Sequence, residues 1–158
     1  MVELLGIIRI RGWAKAPWYI NETLEMLRLR YNFNTMMYPK TSQILGMLNK
    51  VSPYVTWGEI DPDTLKLLII KRLETAKGDK VSDSYVKEVL KIENIDTMVK
   101  QLYEGKIYLH KLDQYFKLPI RLHPPKGGFK GSVKRPYKNK GEFGYRGDKI
   151  NELMRRMM

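Results

Sequence analysis

The chain has 158 residues, 43% hydrophobic and 29% charged, enough for one core plus a smaller second unit and unlike a disordered chain. It has no cysteine, which excludes a disulfide framework, a thiolate metal site and a cysteine nucleophile. With 29 Lys and Arg against 17 Asp and Glu it carries a net charge of +12, which points to a polyanionic partner: nucleic acid, an anionic membrane surface or an acidic protein.

The opening MVELLGIIRIRG is interrupted by Glu3, Arg9 and Arg11, so neither a spanning helix nor a secretory signal is expected, and the protein reads as soluble and cytoplasmic. Leu4 to Arg11 alternates at period two, with Leu5, Ile7 and Arg9 against Leu4, Gly6, Ile8 and Ile10, and predicts a strand ended by Gly12. Pro17 suits a first helical turn, and the helix it opens runs to Arg30 with Ile20, Leu24, Leu27 and Tyr31 on one face. Asn34 to Tyr38 is extended and stopped by Pro39. Thr41 then caps a short helix with Ile44, Met47, Leu48 and Val51 inside, which Pro53 ends. Tyr54 to Ile60 alternates again, so residues 1–60 read as a β-α-β-α-β unit.

Asp61 and Pro62 start a further helix, with Leu65, Leu68, Ile69 and Leu73 at helical spacing up to Glu74. A turn at Ala76 to Lys80 leads to two more helices, Ser82 to Lys91 and Ile95 to Tyr103, the second closed by Gly105. Residues 61–117 are thus a helical extension. From Leu118 Pro and Gly interrupt every few residues and no apolar period survives, which predicts about 30 residues of irregular segment. A closing helix follows, capped by Asp148, with Ile150, Leu153, Met154 and Met157 on a stripe that docks on the body and Lys149, Arg155 and Arg156 turned away from it.

The charge is uneven along the chain. Residues 117–158 hold 12 basic and 3 acidic side chains, whereas residues 1–116 hold 17 and 14. Between Arg121 and Lys140 the basic residues Lys126, Lys130, Lys134, Arg135 and Lys138 are interleaved with His123, Phe129 and Tyr137 on a backbone containing Gly127 and Gly128. Cations neutralise phosphates and release counterions, glycines let the backbone approach, and aromatic rings stack on exposed bases. Arg146 extends this segment towards the closing helix. A solvated basic tail would leave the aromatics and the returning helix unexplained. A membrane surface is disfavoured because no basic helix with a broad apolar face accompanies the charge. Arg9 and Arg11, with Trp13 and Lys15 after them, form either an RNA-facing edge or a strand end guarded by charges.

Enzymatic signatures are weak. KGGFKGS lacks the spacing of a phosphate-binding loop, and His110 and His123 have neither cysteine nor HxxxH spacing to make a metal site. Glu59, Asp61 and Asp63 sit where a helix begins, and its dipole accounts for them. No cofactor, metal or small-molecule substrate is expected. The open readings are a structural RNA-binding protein of a larger assembly and a free RNA-binding regulator, with an RNA enzyme least supported.

Several motifs resemble one family in order along nearly the whole chain. The IIRIRG strand, the ETLEMLRL helix and KTSQILGMLNKVSPYVTWGEI resemble the short bacterial form of the large-subunit ribosomal protein family L-thirty. RLHPPKGGFKG and GDKINELMRRM resemble the extension of its archaeal members and of the eukaryotic counterpart, L-seven. The resemblance implies an α+β, ferredoxin-like plait whose three-stranded sheet is covered by helices, with a helical extension and a long basic C-terminal segment. It implies binding to large-subunit ribosomal RNA near the 5S RNA, neighbouring ribosomal proteins as partners, and no catalysis. Carried over by matching position, the RNA-binding residues are Arg9, Arg11, Lys40, Thr41, Asn49, Lys50, Arg121, His123, Lys126, Gly127, Gly128, Lys130 and Lys134.

Overall fold

The computed structural model describes residues 3–12, 14 and 16–158 and builds its main sheet around β1 (Leu4–Arg9), all six residues of which are buried. Antiparallel partners flank it on both sides, β2 (Asn34–Pro39) and β3 (Val55–Glu59), so that Ile7 lies opposite both Met36 and Trp57. These are the three strands that the alternation predicts. α1 (Trp18–Met26) joins β1 to β2, and α2 (Ser42–Lys50) joins β2 to β3. Thr41 caps α2 as expected, its hydroxyl accepting from the Ile44 amide at 3.2 Å. α1 stops at Met26, short of the predicted Arg30. Arg28 turns left-handed (φ 62°) and the Leu29 amide reaches back to the Leu24 carbonyl at 2.8 Å, which closes the helix without a glycine. Tyr31 therefore lies outside the helix and is exposed instead of buried on its face.

Residues paired across a sheet share a face, and faces alternate along a strand. One face carries Leu5, Ile7, Arg9 and Tyr38; the Tyr38 hydroxyl donates to the Leu27 carbonyl beyond α1. On the other face Gly6 and Gly58 are direct cross-strand partners. Together they leave a trough for α6 (Ile150–Met157): a Cβ on Gly6 would run into the Met154 methyl, and one on Gly58 into the Gly147 carbonyl and Ile150. Ile150, Leu153, Met154 and Met157 are all buried, as their stripe predicts. Asp148 does not cap this helix. It lies in a 3-10 turn, Gly147–Lys149, and the Asn151 amide bonds instead to the Glu59 and Asp148 carbonyls.

α3 (Pro62–Lys71), capped by Asp61 at 2.6 Å from the Thr64 amide, packs on α6 and on α5 (Ile95–Glu104). α4 (Asp83–Leu90) packs beside α5, which Gly105 ends in a left-handed conformation. β4 (Glu74–Thr75) and β5 (Phe116–Lys117) form a small separate ladder.

The main departure lies after Leu118. The stretch expected to be irregular contributes β6 (Ile120–Arg121), β7 (Ser132–Pro136) and β8 (Gly141–Tyr145). The sheet is six-stranded, in the order β6-β2-β1-β3-β8-β7, rather than three-stranded. Ladder pairing uses backbone N–H and C=O groups and needs no apolar alternation, so a hydrophobic-period reading does not register such strands. β6 and β8 dock on strands already in place, with Asn34 opposite Arg121 and Thr56 opposite Gly144.

Candidate nucleic-acid interface

The register brings Arg9 and Arg121 to one end of the sheet. β1 finishes at Arg9 there, β2 begins at Asn34, paired with Arg121, and β3 begins at Val55, paired with Arg9. The turn at Ser52–Tyr54 packs against both β7 and β8, which brings the basic β7–β8 connection to that end as well.

The strip from Leu122 to Gly128 is stitched to the last turn of α6. The His123 and Lys126 amides donate to the Met157 and Arg156 carbonyls at 2.9 and 3.0 Å, supplying partners that a helix C-terminus lacks by itself. The Arg156 guanidinium donates in turn to the Lys126 and Gly128 carbonyls. Gly127 and Gly128 both take positive φ, 77° and 75°, with open space where a Cβ would stand, so the backbone turn is what requires glycine. Arg72 donates to the Arg121 carbonyl and, at 2.9 Å, contacts His123 Nε2. A guanidinium only donates, so Nε2 is the acceptor in this contact. Phe129 is half-buried against Phe33, their centroids 6.3 Å apart.

Between α6 and the β7–β8 connection lies a groove of about 420 Å³. Six cations line it, Lys130, Lys138, Lys140, Arg146, Lys149 and Arg156, against two carboxylates, Glu142 and Glu152. Neither carboxylate is free: Glu152 meets Lys130 at 3.4 Å, and Glu142 meets Arg146 at 2.8 Å. The second pair is buried, with side-chain exposures of 6% for Arg146 and 7% for Glu142. Its other valences are filled as well. Glu142 accepts from the Gly131 amide at 2.8 Å, while Arg146 donates to the Thr56 hydroxyl at 2.7 Å. Arg146 is therefore a floor for the groove, and its guanidinium backs the exposed Tyr137 ring at 4.8 Å. Lys134 and Arg135 are exposed on β7.

Several residues expected at the interface are placed elsewhere or otherwise occupied. Arg9 is 1% exposed, and its guanidinium donates to the Leu29 and Arg30 carbonyls at 2.8 Å, so it is a buried brace rather than a surface phosphate contact. Lys40 lies at the opposite end of the sheet, held by Glu3 at 3.0 Å and Glu59 at 3.4 Å. Hydrogen bonding and charge from Glu3 raise its ammonium above the ordinary range. Burial would raise the Glu59 carboxyl, but hydrogen bonds from Tyr145 and Lys40 outweigh it and hold the group low. Thr41 uses its hydroxyl as a helix cap. Arg155 turns towards α3, reaching the Thr64 hydroxyl and, at 3.8 Å, Asp61. Arg11 over Tyr54 and Lys50 over Tyr19, with exposed Asn49 beside it, remain on the basic end. Lys15 and Trp13 lie outside the described residues.

Sequence reasoning missed Arg72, which orders His123, and Trp18 and Tyr31, which are 76% and 57% exposed. A tryptophan at a helix start with polar neighbours was the available signal. Among the described residues no group of three His, Asp or Glu side chains could hold a metal ion.

The pattern of the family described as ribosomal protein L30p/L7e matches residues 5–55. Three relatives named large ribosomal subunit protein uL30 are similar over the whole of this chain and of their own length. One from Saccharolobus islandicus is 99% identical, one from Sulfolobus acidocaldarius 60% and one from Desulfurococcus amylolyticus 45%.

Proposed function

The chain belongs to the ribosomal protein L30p/L7e family, and from that premise we propose that it is a structural constituent of the large ribosomal subunit that binds ribosomal RNA with the basic end of its sheet. The observation that carries the reading is the groove between α6 and the β7–β8 connection, where both carboxylates are already paired and Lys138, Lys140 and Lys149 stay exposed. Each phosphate seated there releases condensed counterions, and the outer face of Tyr137 is available to a base. Residues 1–60 and the helical extension, 61–117, hold this surface in place, and residues 118–158 supply most of its charge. Family membership supports a place in the cytoplasmic ribosome among neighbouring ribosomal proteins, on the 5S RNA side.

The test is the salt dependence of binding to large-subunit ribosomal RNA. Deleting residues 118–158 would remove three strands of the sheet, so the informative variant replaces Lys130, Lys138, Lys140 and Lys149 with glutamine. The slope of log affinity against log salt should fall by roughly 0.7 to 0.9 for each phosphate that is no longer neutralised. An unchanged slope would show that the groove does not bind RNA. In a low-salt gradient the wild-type chain should travel with the large subunit in stoichiometric amount; a free regulator would stay near the top.

A further inference from the structure

A second hollow, of about 440 Å³, opens on the Arg9 face of the sheet, opposite α6. Its lining includes Trp18, Asn21, Glu22, Glu25, Arg30 and Tyr31, with Arg9 fixed at its base by backbone carbonyls. Two large aromatic side chains left this exposed mark an interaction site rather than a core. The hollow suits a phosphate poorly, since Arg9 and Arg30 are balanced by Glu22 and Glu25. A cationic peptide would meet the same two guanidiniums. Aromatic walls with both acceptors and donors suit an uncharged heterocycle, and the volume falls in the lower part of the range for small-molecule sites.

What lies beside the hollow narrows the choice. Tyr31 also lines an adjoining depression of about 360 Å³ that contains Lys117 and Arg121. A nucleic-acid strand could lay its phosphates along that depression and turn one base across Tyr31. Resting on the RNA-binding reading above, we propose that the hollow receives a single unstacked guanine base. Guanine presents two adjacent donors, N1–H and N2–H, which one carboxylate accepts together, and two acceptors, O6 and N7, which a guanidinium satisfies. Arg30 is steadied by Glu25 at 3.6 Å and faces O6 and N7; Glu22 takes the two donors. Adenine sets an acceptor beside a donor on the corresponding edge, and that acceptor repels a carboxylate. Trp18 and Tyr31 supply the stacking surface.

The experiment titrates the full-length protein with oligouridine strands carrying one central guanosine, one central adenosine or neither, followed by tryptophan fluorescence and by anisotropy of an end label. The guanosine strand should bind roughly tenfold more tightly than the adenosine strand, the scale set by one stacked or paired base. Glu22→Gln should remove the preference for guanosine and leave binding of plain oligouridine unchanged; Glu22 is exposed, so the fold is not at risk. Trp18→Ala should weaken the guanosine strand by roughly tenfold and abolish its quenching. Equal affinity for the guanosine and adenosine strands in the wild type overturns the proposal, as does a preference that survives both substitutions. An arginine-rich peptide that quenches Trp18 while no base preference appears would assign the hollow to a protein partner instead. Failure of all three strands to bind at low salt would strike the RNA-binding reading itself, an outcome distinct from binding without discrimination.

Discussion

Residues 1–60 and the β7–β8 segment, residues 132–145, belong to the same sheet and are held in it by different forces. In the first region side chains do the work: every residue of β1 is buried, and Leu5, Ile7, Met36, Leu48 and Val55 are fully enclosed. In the second, β7 is largely exposed and β8 joins β3 through backbone pairing reinforced by polar side chains. Thr56 donates to the Gly144 carbonyl, Arg146 donates to Thr56, and Glu142 closes the set by binding both Arg146 and the Gly131 amide. Apolar burial is roughly additive and tolerant of substitution, whereas a buried polar set depends on every member having a partner. The basic segment can therefore stay rich in lysine, as the proposed RNA surface needs, and still take a defined path.

The largest test of this difference is Arg146→Met. It would leave Glu142 buried without its cation, at a cost of about 3 to 5 kcal/mol, visible as a lower urea midpoint. Replacing Glu142 by glutamine at the same time should restore part of that loss. If the double variant is as unstable as the single, the pair does not act as a unit and the contrast fails.

Next in size is Gly58→Ala. The new methyl would overlap the Gly147 backbone carbonyl, which cannot swing away like a side-chain end. Stability should fall by about 3 kcal/mol. Gly46→Ala is the control. Gly46 sits within α2 with open space around it, and alanine there should add about 0.5 to 1 kcal/mol of stability. Thermal unfolding of the two variants that moved the same way would mean the trough under α6 is not tightly filled.

What could be read from the sequence follows the same division. β1, β2, β3, the caps at Thr41 and Asp61, the stop at Gly105 and the buried stripe of α6 all leave a side-chain signature, and each lies where its residues indicate. β6, β7 and β8 leave none, because their pairing runs through the backbone, β6 is two residues long, β7 is largely exposed and β8 buries glycines and a glutamate instead of an apolar face. Charge pointed to the basic segment but could not tell exposed cations from buried ones. Arg9 and Arg146 carry the same chemistry as Arg121, yet both are enclosed by carbonyls or a carboxylate that only the folded chain assembles. The glycines at 6 and 58 were visible, but their meaning depended on knowing that they pair and that a helix from the far end of the chain lies across them.

The smallest effect concerns a seam that belongs to neither region. His110 lies in the short 3-10 turn Leu109–Lys111, which packs on β2, its ring 5.2 Å from that of Tyr38 and stacked at 5.7 Å on Tyr108. Its Nδ1 is buried without a hydrogen-bond partner. Burial, assisted by the charges of Lys111 and Arg28, lowers its pKa below the ordinary value of 6.5. The folded state thus favours the neutral ring, whereas the unfolded chain takes up a proton near the ordinary value. The stabilisation is complete well above pH 6.5 and is lost as pH falls through the folded value. Between mildly alkaline and mildly acidic buffer the melting temperature should fall slightly, with amide protection declining in β2 beside His110 and not in β3 or β8. The β3–β8 contact rests on Thr56, Glu142 and Arg146 and lies away from the His110 turn, which packs on β2. His110→Gln should flatten the dependence. If β8 instead loses protection in step with β2, the polar set and the apolar core unfold as one unit at this pH, and the division drawn between them is too sharp.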